Sequence, residues 1–133
     1  MSPLISIVMA TYNGEKYLRE QVDSLLAQSY PTLEFIFVDD ASSDSSVKIL
    51  QEYALSDSRI RLVTNPENQG LLATFEKGIR AAQGEMIALS DQDDVWMPEK
   101  IRLLAGAIGS HSMIYADSAL TDAAGFVIGK FSD

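Results

Sequence analysis

Three short polar clusters hold the side chains of this 133-residue chain that could do chemistry, and each follows an apolar run. Thr11-Tyr12-Asn13 comes after Leu4 to Ala10, Asp39-Asp40 after Leu33 to Val38, and Ser90-Asp91-Gln92-Asp93-Asp94 after Met86 to Leu89. Carboxylates accept hydrogen bonds, move protons and ligate hard cations. Three of them within four residues repel one another and any anionic ligand, unless a divalent cation turns the repulsion into ligation. Each cluster also has an ordinary explanation. Asp39 and Asp40, with Ser42, Ser43 and Asp44 behind them, could cap the next helix. The run from Asp91 to Asp94 could be a solvated turn before Pro98, and Tyr12 could be core packing. The order of the clusters along the chain weighs towards a site.

That order is set by the elements between them. Leu4 to Ala10 and Leu33 to Val38 are short Ile/Val/Phe-rich runs of the kind buried in parallel sheets, and Met86 to Leu89 is read the same way. Ile60 to Thr64 is a further short strand, ended by Asn65-Pro66. Between the strands, helical stripes recur. They are Leu18, Val22, Leu25 and Leu26 within Glu15 to Gln28; Val47, Leu50, Tyr53 and Ala54; Leu72, Phe75, Ile79 and Ala82, closed by Gly84; and Ile101, Leu104 and Ile108 after Pro98. Met113 to Ala116 and Phe126 to Ile128 read as two more strands around a turn at Asp122 to Gly125. Alternation of this kind predicts an α/β domain, a mostly parallel, Rossmann-like sheet with helices on both faces. Ligands of such sheets bind outside the carboxyl ends of the strands, where all three clusters fall.

Composition narrows the function. The formal net charge is -9, with a pI near 4.4, which argues against nucleic acid as a partner. Cysteine is absent, so disulfides and thiolate-bound zinc are excluded. No apolar run is long enough for a transmembrane segment, and the N-terminus lacks the basic start of a secretory signal. An acidic protein that handles a phosphorylated ligand needs a cation between the like charges.

The motifs resemble family 2 glycosyltransferases with the GT-A fold. Ile5 to Asn13 looks like their opening strand, and Phe37-Val38-Asp39-Asp40-Ala41-Ser42-Ser43-Asp44 like their second motif. Asn68-Gln69-Gly70 and Ala82-Gln83-Gly84-Glu85 match the lead-in to the metal motif, which Ala88 to Trp96 resembles. The form Ser-Asp-Gln-Asp-Asp-Val-Trp, with Phe75-Glu76 in the third helix, is most like the rhamnosyltransferase-like branch. The resemblance implies a single nucleotide-sugar-binding domain over residues 1–133, a fragment lacking the C-terminal acceptor and base region. It implies transfer of a sugar from a UDP- or dTDP-sugar to a saccharide or lipid-linked acceptor, in bacterial cell-surface polysaccharide synthesis. The setting is the cytoplasm, at the inner face of the membrane. Ala10 and Tyr12 would line the base pocket, Asp40 would accept the N3–H of the pyrimidine, and Asp39 would contact the base or ribose. Asp91 would face the sugar or ribose. Asp93, assisted by Asp94, would bind the Mg2+ or Mn2+ ion bridging the phosphates, whose charge stabilises the leaving nucleoside diphosphate.

Two departures matter. Many members of this branch carry Arg-Asn where this chain has Phe75-Glu76, which removes a phosphate contact and makes Phe75 a core residue. Nothing matches the segment with the acidic general base of an inverting transfer, which is expected beyond Asp133. Asp117 and Asp122 read as strand-end and turn residues, Trp96 as packing, and His111 as a surface loop residue. A phosphotransfer domain would need an acidic residue directly after the first strand, where Thr11-Tyr12-Asn13 stands. A sugar-nucleotide-synthesising enzyme would show a Gly-rich basic loop. A non-catalytic nucleotide-sugar-binding module stays open as the alternative.

Overall fold

The computed structural model describes residues 2–91 and 94–108 in full, and residues 119–121 and 127–130 by their backbone. Its elements follow the alternation read from the sequence: β1 (Ile5–Thr11), α1 (Glu15–Leu26), β2 (Leu33–Asp39), α2 (Ser46–Ser56), β3 (Ile60–Thr64), α3 (Leu71–Ala81), β4 (Met86–Asp91) and α4 (Lys100–Ile108), then β5 (Ala119–Thr121) and β6 (Val127–Lys130). The first four strands form one parallel sheet in the order β3-β2-β1-β4. β5 and β6 form a separate antiparallel pair. Strands β2 and β3 are laid in sequence outward from β1, and the crossover through α3 then brings β4 to the other side of β1. The strand order therefore reverses between β1 and β4. The predicted strand at Met113 to Ala116 and the turn at Asp122 to Gly125 lie outside the described residues.

Side-chain alternation assigns the helices to both faces. Ile5, Ile7 and Met9 of β1, with Leu33, Phe35 and Phe37 of β2, pack against Leu18, Val22 and Leu25 of α1, Ile49 and Leu50 of α2, and Ile101 of α4. Val8, Ile36 and Val38 point the other way and meet Phe75 and Ala81 of α3. Phe35 and Phe37, both fully buried, sit with ring centroids 6.1 Å apart in a tilted arrangement. Trp96 is 6% exposed and belongs to the larger core, with the Lys100 ammonium 4.3 Å from its ring centroid. Its expected role in packing is what the structure has.

Two readings need correction. Of the stripe Leu72, Phe75, Ile79 and Ala82, only Phe75 and Ala82 pack on the sheet, whereas Leu72 is 86% exposed and Ile79 39%. The buried positions are Thr74 and Gly78, with Phe75 packed beside them. Small residues let this helix lie close on the sheet, and hydrophobicity alone does not register closeness. β4 is likewise not a buried strand. Among the described residues it is the sheet edge next to β1, and Ile87 and Leu89 are exposed on the face that α3 covers over β1 and β2.

The close approach of α3 is testable at Gly78, where an added Cβ would lie 2.4 Å from Val8 Cγ1 and 3.2 Å from Val38 Cγ2. Both partners are buried β-branched side chains with little freedom to move. Alanine gains up to about 1 kcal/mol in helix propensity, whereas overpacking costs about 1–3 kcal/mol. Gly78→Ala should therefore lower the thermal midpoint. An unchanged or raised midpoint would show that α3 does not sit this close.

Candidate active site

The site begins at the ends of β1 and β2. Backbone bonding continues past the strands: Asp40 N donates to Thr11 O at 2.9 Å and Asn65 N to Asp39 O at 2.8 Å. This holds the three strand-end segments level. Asp39 is fully buried. Its Oδ1 accepts from Thr11 Oγ1 at 2.8 Å and from Ser42 Oγ at 2.6 Å, and its Oδ2 accepts from Ser42 N at 2.8 Å. The turn that allows this puts Ala41 at φ 62, a left-handed conformation uncommon outside glycine. Asp39 thus lies beneath the cleft floor and is not on its wall. Of the cap expected from this stretch, Asp44 makes it: its Oδ1 accepts from Ser46 N at 2.9 Å at the start of α2, and its Oδ2 accepts from Glu15 N at 3.2 Å.

Asp40 does something else. It is 5% exposed, and its carboxylate reaches across to the loop before α3. Oδ1 accepts from Gln69 N at 2.7 Å and from Asn65 Nδ2 at 2.9 Å, and Oδ2 accepts from Gly70 N at 2.9 Å. Gly70 starts α3 with φ 94 and no side-chain cap of its own. A carboxylate from a neighbouring strand therefore caps the entry to α3, at Gln69 and Gly70 just before its first turn, where the helix dipole favours negative charge. Asn65 is held in turn, giving Nδ2 to Thr74 Oγ1 at 3.2 Å and taking Lys77 Nζ on Oδ1 at 2.6 Å. Burial pushes the Asp40 carboxyl up, but the hydrogen bonds from Asn65, Gln69, Gly70 and Thr74 outweigh it and hold the group below its ordinary 3.8. Asn65 is 4% exposed and works well beyond the chain turn that Asn-Pro signals.

These ends enclose a cleft of about 520 Å3, within the range of roughly 300–1,000 Å3 typical of small-molecule sites. Ala10, Thr11 and Tyr12 line it from β1, Asp40 from β2, Asn68, Gly70, Leu71 and Thr74 from the start of α3, and Asp91 from β4. It lies at the reversal of strand order between β1 and β4, where ligands of doubly wound sheets bind. Ala10 pairs in register with Asp91, and Thr11 with Asp39. The structure brings Ala10, Tyr12, Asp40 and Asp91 together in this cleft. Tyr12 is 47% exposed, so core packing does not explain it. Asp94 acts electrostatically on the Lys100 ammonium, which burial pushes to a lower pKa and Asp94 raises. Asp93 lies outside the described residues, as do His111, Asp117 and Asp122. Phe75 packs on Val8, Ile36 and Val38, and Glu76 Oε1 pairs with Arg80 at 2.8 Å, so neither serves the cleft.

The model of the Glycosyl transferase family 2 matches residues 6–123, nearly the whole chain. The chain belongs to this family. Among curated members, it is 40% identical over 99 residues to the putative teichuronic acid biosynthesis glycosyltransferase TuaG of Bacillus subtilis, covering 74% of this chain and 39% of TuaG. It is 44% identical over 98 residues to the putative glycosyltransferase EpsH of the same organism, covering 74% of this chain and 28% of EpsH. The chain thus spans well under half the length of these relatives. Among solved structures, S. aureus TarS in complex with UDP superimposes with a TM-score of 0.73 at 29% identity, over 80% of this chain and 32% of TarS. The mannosyltransferase PcManGT from Pyrobaculum calidifontis shares the fold, with a TM-score of 0.79 over 92% of this chain and 36% of that one at 23% identity. The GT-A architecture of these family 2 transferases is the architecture of this chain.

The cap across the cleft predicts a pH signature. A carboxyl depressed below 3.8 contributes stability in full above that value and loses it as pH falls through the folded-state pKa. Asp40→Asn puts an amide nitrogen against one of the N–H donors, which should cost about 1–3 kcal/mol at neutral pH. The gap between wild type and variant should then narrow on acidification below pH 3.8. Denaturant midpoints measured against pH check this, and a gap that is constant with pH would contradict the ionised cap.

Proposed function

We propose that this chain forms the nucleotide-sugar-binding part of a glycosyltransferase that moves a sugar from a UDP- or dTDP-sugar to a saccharide or lipid-linked acceptor in bacterial cell-surface polysaccharide synthesis. One observation carries the reading. In a chain of this family, the cleft at the strand-order reversal gathers an exposed aromatic ring, a capped carboxylate and a strand-end carboxylate: Tyr12, Asp40 and Asp91. Relatives point the same way, since TarS has been solved with UDP and with UDP-GlcNAc. Charged nucleotide sugars do not cross a bilayer, so the reaction belongs in the cytoplasm, at the inner face of the membrane. Among the described residues, no helix is long and apolar enough to cross one.

In this reading, the Tyr12 ring packs on the base above Ala10. Asp40 Oδ2, which accepts from Gly70 N, takes the N3–H of uracil or thymine on its remaining lone pair. Asp39 acts on the base and ribose region through Thr11 and Ser42, the two residues it holds. Asp91 faces the ribose or sugar.

The phosphates need counter-charge. The described residues lining the cleft include two aspartates and no lysine or arginine. Asp91 and Asp94 offer hard oxygen donors, the chemistry that Mg2+ and Mn2+ take, and such ions usually combine one or two carboxylates with substrate phosphates. Among the described residues there is no cluster of three or more His, Cys, Asp or Glu. Asp93 and Asp94 are the residues we assign to the ion, which when bound neutralises the charge growing on the leaving diphosphate. The chain's own share is to hold the base and ribose, so that the diphosphate reaches the acidic run in one orientation.

Calorimetric titration of UDP tests the reading. Wild type should bind UDP more tightly in Mn2+ than in EDTA, and more tightly than it binds GDP. Asp93→Ala should remove the Mn2+ dependence at unchanged thermal midpoint. Equal affinity in Mn2+ and EDTA would reject the cation, and preference for GDP would reject the base pocket.

A further inference from the structure

Helix α1 carries a polar row that is bonded to the segment bearing the acidic run. Gln21 and Ser24 stand three residues apart on one face of the helix, and Gln28 follows two residues past its end. Gln21 is fully buried, and its Nε2 donates to Ser90 Oγ at 2.8 Å and to the Asp91 carbonyl oxygen, using both amide hydrogens. Ser24 Oγ accepts from Trp96 N at 3.0 Å and donates to Gln21 O at 2.7 Å. Gln28, 7% exposed, gives Nε2 to Met97 O at 2.8 Å and takes Ile101 N on Oε1 at 3.0 Å. Just past α1, Ser29 N donates to Pro98 O at 2.9 Å.

The segment thus held runs from the last residues of β4 to the first turn of α4. Residues 94–97 form no regular element, so no ladder sets their backbone. The bonds from α1 fix it on both sides of residues 92–94. Buried amides hold such positions firmly, because a buried polar group left unpaired costs about 1–3 kcal/mol. Nothing in this row is explained by core packing, for which Leu18, Val22 and Leu25 already serve.

We propose that Gln21 and Ser24 are positioning residues for the acidic run: through Ser90, the Asp91 backbone and Trp96 N they hold the chain on either side of it and so set where its carboxylates can meet the diphosphate. This rests on the reading of the acidic run as a cation site. It places part of the support for cation binding in a helix that contributes no residue to the described cleft wall. Residues that orient metal ligands in this indirect way typically change metal affinity about 10–100-fold when replaced.

The experiment compares UDP affinity in Mn2+ and in EDTA for wild type, Gln21→Leu, Ser24→Ala and Ser24→Thr, with thermal midpoints alongside. Gln21→Leu keeps the volume and removes the amide. Ser24→Ala removes only the hydroxyl, and Ser24→Thr restores it. The expected result is a Mn2+-dependent gain reduced about tenfold or more in Gln21→Leu and Ser24→Ala, and kept in Ser24→Thr, with affinity in EDTA unchanged throughout. A merely structural role would lower the midpoints and leave the ratio between Mn2+ and EDTA as in wild type, which overturns the proposal. If Gln21→Leu fails to fold, the Ser24 pair decides. If wild type itself shows no Mn2+ gain, the cation reading fails and this inference with it, whereas a wild-type gain retained in both variants sinks the positioning role alone.

Discussion

The cleft depends on one buried carboxylate. Asp40 stands at the end of β2, yet its hydrogen bonds go to Asn65, Gln69 and Gly70, which belong to the loop between β3 and α3. Without it, the loop entering α3 loses its anchor at Gln69 and Gly70, and the cleft loses the wall formed by Asn68, Gly70 and Leu71. The same charge that holds the wall also lines the cleft. A group serving both stability and recognition explains why burial does not neutralise it: the donors around it outweigh the desolvation.

Asp39 and Asp40 are adjacent yet divide the labour. Successive side chains of a strand point to opposite faces. Asp39 therefore turns inward to Thr11 and Ser42, fixing the β1 and β2 ends against each other, while Asp40 turns to the α3 side and the cleft. Beyond them, Asn65 joins Asp40, Thr74 and Lys77 into one polar network under the loop. The cleft's described wall holds carboxylates and no basic side chain, so under the proposed function the counter-charge for an anionic ligand would come from an ion.

Much of this was legible in the sequence, because strand runs and strand-end polar clusters follow from periodicity. The positions of Ala10, Tyr12, Asp40 and Asp91 at one edge needed only the strand ends and the sheet's handed connections. The α3 face was misread because Thr74 and Gly78 are chosen for closeness to Val8 and Val38, and a hydrophobic stripe is blind to that. The roles of Gln21, Gln28 and Asn65 were missed because amides in helices and turns usually face water. Their spacing beside the apolar stripe of α1 was the available signal. The exposure of Ile87 and Leu89 depends on which strand ends up at the sheet edge, which no local pattern encodes.

The account stands or falls on whether a pyrimidine nucleoside diphosphate occupies the reversal between β1 and β4. Backbone amide NMR on this chain, titrated with UDP in EDTA and then with Mg2+, measures that directly. The account predicts shifts first at Tyr12, Asp40, Gln69, Gly70 and Leu71, with Asp91 and Asp94 following when Mg2+ is added. Shifts confined to the opposite sheet edge, around Ser6, Glu34 and Gly84, would contradict it.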